Sequence, residues 1–134
     1  MRRIVAASLL VAMLICLSAC GGKVSDAQTL EYHSDVYTDA QINDAIQVTR
    51  RYFRKEFSGC TLVDITYLGD DKQADFQDWA DRNDADQVIV LVSTFTVDAS
   101  GGDGSLNPNS TYTNWKWILV RNDGGKWRHV DHGY

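Results

Sequence analysis

The run Val88-Ile89-Val90-Leu91-Val92, within Asp86 to Val97, constrains the fold more than any other segment. Successive side chains of a strand point to opposite faces, so a strand with consecutive apolar residues is covered on both. This places residues 86–97 at the centre of a sheet. The segments around it supply the partners. Cys60 to Leu68 alternates apolar and polar residues and reads as a strand. Thr111 to Arg121 and Lys126 to His132 read as two more, joined through Asn122-Asp123-Gly124-Gly125. Asp-Gly between alternating runs is a strong hairpin signal.

Two helices are predicted. Thr38 and Gln41 form a capping-box pair, and Ile42, Ala45, Ile46, Thr49, Phe53 and Phe57 recur at helical spacing. Arg50, Arg51, Arg54 and Lys55 load the C-terminal end, where cations suit the helix dipole, and Gly59 supplies the stop. Asp70 with Gln73 is expected to cap a shorter helix carrying Phe76, Trp79 and Ala80 on one stripe and several aspartates on the other. The order is α-β-α-β-β-β, with no room for parallel crossovers after the second helix. The expectation is an α+β domain, its antiparallel sheet packed on one side by the helices.

The N-terminus reads as a secretory leader. Arg2 and Arg3 precede an apolar stretch from Ile4 to Leu17, too short to span a bilayer, which takes roughly 20 apolar residues. Leu17-Ser18-Ala19-Cys20 then matches a bacterial lipobox at all four positions. It predicts cleavage after residue 19 and lipidation of Cys20 by palmitate-type acyl chains, with two or more needed for durable anchoring. The organisation expected is a signal peptide at 1–19, a lipidated cysteine and flexible tether at 20–37, and one α+β domain at 38–134. The product would be exported and held on the outer face of the cytoplasmic membrane, or on the periplasmic side where an outer membrane exists. Its membrane partner is reached through the lipid on Cys20.

Loss of the leader removes Arg2 and Arg3 and no acidic residue, leaving 11 basic against 18 acidic side chains, a net charge of −7. That balance argues against nucleic acid as a partner and against electrostatic adhesion to anionic lipid. With Cys20 lipidated, Cys60 is the one thiol left in the mature chain, so no internal disulfide forms. A small buried hydrophobe is its expected role.

Candidate chemistry concentrates in the last hairpin. A turn centred on Asp123-Gly124 would pair Val120 with Trp127, Ile118 with His129 and Lys116 with Asp131. One face then carries Lys116, Trp127, His129 and Asp131, the candidate ligand-binding residues. His129 and Asp131 would lie about 7 Å apart along the strand, a spacing open to an acid/base pair or two metal ligands. A Lys116–Asp131 ion pair beside a half-exposed histidine is the plainer alternative. His33 falls in the tether and His132 on the opposite face, so no metal site and no cofactor is expected. Trp115 and Trp117 share a face as core or as pocket wall. Loop 98–110 offers Asp98, Asp103, Asn107 and Asn109 but does not fit the EF-hand template.

Asp86 to Leu91, Gly101 to Pro108 and the ending Trp127-Arg128-His129-Val130-Asp131-His132-Gly133-Tyr134 resemble small clostridial-type lipoproteins over residues 38–134. The resemblance implies a cystatin-like, nuclear transport factor 2-like roll, in which a curved antiparallel sheet wraps a long N-terminal helix. It implies no activity and no catalytic residues. The function expected is a non-catalytic ligand-binding or protein-interaction module at the cell envelope. A small enzyme using His129 and Asp131, and a purely structural envelope protein, are the alternatives.

Overall fold

The computed structural model describes residues 21–134; the segment expected to be a leader and the lipidation expected at Cys20 lie outside the described residues. The fold is α+β. Its strands are β1 (Gln28–Thr29), β2 (Cys60–Tyr67), β3 (Gln87–Val97), β4 (Thr111–Arg121) and β5 (Arg128–Gly133), in sheet order β1-β2-β3-β4-β5. The sheet has two edges and is not closed into a barrel. It is mixed rather than purely antiparallel, because the short β1 runs parallel to β2 while all other pairs are antiparallel. The doubly apolar β3 lies at its centre, as its residue pattern requires.

Helix α1 (Asp39–Glu56) begins at the expected capping box. Gln41 N–H donates to Thr38 Oγ1 at 3.2 Å, and Thr38 N–H donates to Gln41 Oε1 at 2.9 Å. Ile42, Ala45, Ile46, Thr49 and Phe53 form its buried face. They pack on Leu62, Ile65, Ile89, Leu91, Phe95, Trp117 and Leu119, the residues of one sheet face.

The second helical region breaks into α2 (Asp70–Gln73), a 3-10 turn (Ala74–Phe76) and α3 (Gln77–Arg82). It covers the opposite sheet face, where Ala80 packs with Val88, Val90, Ile118 and Val120. This corrects the expectation that both helices share one side: each parity of the β3 run needs its own apolar cover. Asp70 caps no helix end with its side chain either. Its carboxylate accepts from Ser34 Oγ at 2.6 Å, Asp35 N–H at 2.7 Å and Tyr67 Oη at 2.8 Å, fixing the approach to α1.

Three sheet irregularities reset which residues face α1. In β2 the register slips at Val63, so Leu62 and Ile65 are both buried although three residues apart. A second slip lies between Ser93 and Phe95, opposite Asn114, whose φ of 55° is tolerated by asparagine. The third lies in β5, where Ile118 faces Asp131 but Leu119 faces His129, leaving Val130 over. A bulge of this kind bends its strand and re-aims side chains.

Residues 21–37 are docked on the domain over much of their length. Val24 is buried, Lys23 bridges to Thr61, and Gln28 and Thr29 pair with Asp64 and Ile65. The tether expected there is, from Gly22 to Thr29, a strip along the sheet edge.

Candidate functional site

The bulge in β5 assembles the site. The sequence register assumed a loop of two or four residues after Arg121. The strands instead part over residues 122–127, and Val120 pairs with Arg128 rather than with Trp127. This one-residue shift turns His129 onto the α1 face, opposite Leu119. The bulge at Val130 then returns His132, opposite Trp117, to that same face. The expectation that His129 and His132 point apart is therefore corrected. His129 Nε2 and His132 Nδ1 share a hydrogen bond at 3.2 Å.

Aromatic rings hold the imidazole pair. Tyr52, on α1, stacks on His129 with ring centroids 4.0 Å apart. His132 lies 5.3 Å from both Phe57 and Trp117 and stacks at 5.8 Å on Trp115. Beside them opens a cleft of about 450 Å³ between the end of α1 and loop 98–110, lined by Tyr52, Glu56, Phe57, Cys60, Trp115 and His132 among others.

The electrostatics leave the imidazoles and the thiol at this wall neutral. Burial pushes His129 down to about 4, with the neighbouring His132 adding to the effect. Burial also lowers His132, against the pull of Asp131. Both rings are unprotonated at neutral pH. Burial, reinforced by the charges of Asp98 and Asp103, pushes the Cys60 thiol up to about 11. The thiolate is the nucleophilic form, so this cysteine is inert near neutrality. On the rim, Asp98 accepts from the Ser100 hydroxyl and from Ser100 N–H at 2.9 Å, and Asp103 from the Ser105 hydroxyl and from Ser105 N–H at 2.9 Å. These bonds hold both carboxylates below their usual range and brace the loop locally.

The four residues expected to bind together do not meet. Lys116 sits opposite Gly133 and so forms no cross-strand pair with Asp131, which faces Ile118. Asp131 Oδ1 accepts from the His132 N–H at 2.8 Å and acts as a brace for the bulge. Trp127 lies at the other end of α1, where its indole N–H donates to Gln41 O at 3.1 Å and the Arg121 guanidinium covers its ring at 4.3 Å. Only His129 belongs to the site found here. Tyr52, Phe57 and His132 were missed as site residues. Their signal was the clustering of aromatic residues at the end of α1 and in β4 and β5, which periodicity assigns to core.

Among the described residues no group of three or more His, Cys, Asp or Glu side chains is arranged to hold a metal ion. No described helix is long and apolar enough to cross a membrane. Compared with family models, curated proteins and solved structures, the chain finds no match.

Proposed function

We propose that this chain is a lipid-anchored extracytoplasmic binding module, built on a cystatin-like roll, whose cleft beside His129 and His132 holds a small ligand without transforming it. The observation that carries this is the cleft itself: an open volume of about 450 Å³ walled by the rings of Tyr52, Phe57 and Trp115 and the His132 imidazole, with Glu56 and Asp103 also in its lining. Its lining mixes ring faces with polar groups, and concave sites of this size take small molecules. Ring faces together with the Glu56 and Asp103 carboxylates favour a ligand with a flat apolar side and a polar or cationic edge.

Two features favour binding over catalysis. The cleft's thiol is held protonated, and burial lowers the basicity of the His132 imidazole in its wall and of its partner His129. The roll is supported by the three bulges that bend the strands on the side packed against α1. Export and anchoring are supported by the lipobox ending in Cys20. No observation favours an enzyme built on His129 and Asp131, since Asp131 bonds to the chain beside it rather than to the His129 ring.

The test is a thermal-shift screen of the purified chain against envelope metabolites and peptidoglycan fragments. A ligand at 100 times its dissociation constant stabilises by about 2.7 kcal/mol. For a domain of this size that is a rise of roughly 10 °C in Tm. The rise should vanish in Tyr52→Ala and His132→Ala. A hit indifferent to both would move the site elsewhere.

A further inference from the structure

The chain is seated against the domain from its first described residues. Gly22 N–H donates to Arg54 O at 3.0 Å, at the C-terminal end of α1. Lys23 N–H donates to Cys60 O at 2.9 Å, and Leu62 N–H returns a bond to Lys23 O at 2.8 Å. The Arg50 guanidinium donates to Val24 O at 2.7 Å. The fit is close enough to require glycine: a Cβ at Gly22 would lie 2.4 Å from Phe53 O.

We infer that the lipid on Cys20 holds this end of the domain flush against the headgroup layer of an anionic membrane, with Lys23, Arg54, Lys55 and Ser58 facing it. The inference rests on the anchoring proposed above and adds an orientation to it. Consecutive Cα atoms are about 3.8 Å apart, so Cys20 lies within about 8 Å of the seated Gly22. A flexible tether spanning 21–37 would instead give a mean reach of roughly 23 Å. The headgroup layer is roughly 5–8 Å deep per leaflet, so the shorter distance brings protein and headgroups into contact.

Local charge suits that partner although the whole chain is acidic. Lys23, Arg54 and Lys55 are exposed at this end, and Arg50 is half-exposed beside them. Glu56 and Asp98 stand among them, so attraction to anionic headgroups is modest and serves to orient a chain that the lipid already holds. The net charge that argued against lipid adhesion sits largely elsewhere, on aspartates such as Asp71, Asp75, Asp78, Asp81 and Asp84. One consequence is that the Glu56–Ser58 rim of the cleft lies at the membrane surface.

The experiment uses the full chain, made in a bacterial host with its own leader. Mass spectrometry checks for lipid on Cys20, and the protein is placed in anionic nanodiscs doped with a gadolinium-chelating lipid. Amide signals of Lys23, Arg54, Lys55 and Ser58 should broaden most, and those of Thr38 to Ala40, at the start of α1, least. The 18 residues of α1 separate these two ends by about 27 Å. A spacer of ten glycine and serine residues inserted between Cys20 and Gly21 should remove the contrast. Equal broadening at both ends in a lipidated protein, or a contrast that survives the spacer, overturns the orientation and leaves the anchoring standing. Absence of lipid on Cys20 overturns both.

Discussion

Replacing Trp117 by alanine removes the ring on which the core and the site both rest. Trp117 is fully buried, and Tyr52, Phe53, Phe57, His129 and His132 all place rings between 5.1 and 6.1 Å from it. Its indole N–H donates to Ser93 Oγ at 2.8 Å. Large-to-alanine changes of buried aromatic residues cost about 3–5 kcal/mol, and edge-on ring pairs are worth about 0.5–1.5 kcal/mol beyond area. With five ring neighbours, Trp117→Ala belongs at the upper end, about 4–5 kcal/mol, a large share of a typical domain stability. Thermal unfolding by circular dichroism should show a loss of roughly 15–25 °C in Tm. Trp117→Phe keeps the packing, loses the Ser93 bond and should cost about 1–2 kcal/mol. A cost below about 2 kcal/mol for the alanine variant, or equal costs for the two, would show that Trp117 is not the centre of this cluster.

Acid should destabilise the fold through the imidazole pair. The folded pKa of His129, about 4, lies below the unfolded value of about 6.5, so its contribution is present above pH 6.5 and lost as pH falls toward 4. His132 is shifted the same way. Denaturant melts at pH 7.5 and pH 5 should differ for the wild type and differ less for His129→Gln; a flat wild-type profile would refute the burial of the pair. Cys60 should resist a disulfide-exchange reagent at pH 8 until the chain unfolds, because its thiol is buried and protonated. Rapid labelling of the native protein would contradict this. Thr38→Ala removes one half of the capping box and should cost about 1 kcal/mol in the same melts, with no effect on ligand-induced shifts.

The elements written in local pattern were legible from sequence. The start of α1 follows from Thr38 and Gln41, and its buried stripe was named residue by residue. The central place of β3 follows from five consecutive apolar residues. The site was not legible, because it depends on where the ladder slips. A six-residue loop in place of a shorter one moves His129 to the other face, and a single bulged residue at Val130 brings His132 after it. A period-2 pattern has no memory of such a slip, since one residue inverts every side chain beyond it. The docking of Gly22 to Thr29 was hidden for a different reason. It uses backbone hydrogen bonds and one buried valine, so polar composition around Val24 reads as linker. The separation of the helices onto two faces was present in the β3 run, whose odd and even residues each require a cover.

The central claim is that the cleft beside the imidazole pair is a binding site. Its most direct test is a set of amide spectra of the isotopically labelled chain, titrated with whichever screened metabolite or peptidoglycan fragment raises Tm. The account predicts saturable shifts centred on Tyr52, Glu56, Ser58, Gly102 and His132, with the ligand recovered unchanged. Shifts centred instead on Asp44, Lys126 and Trp127, where a second groove lies along the middle of α1, or a chemically altered ligand, would contradict it.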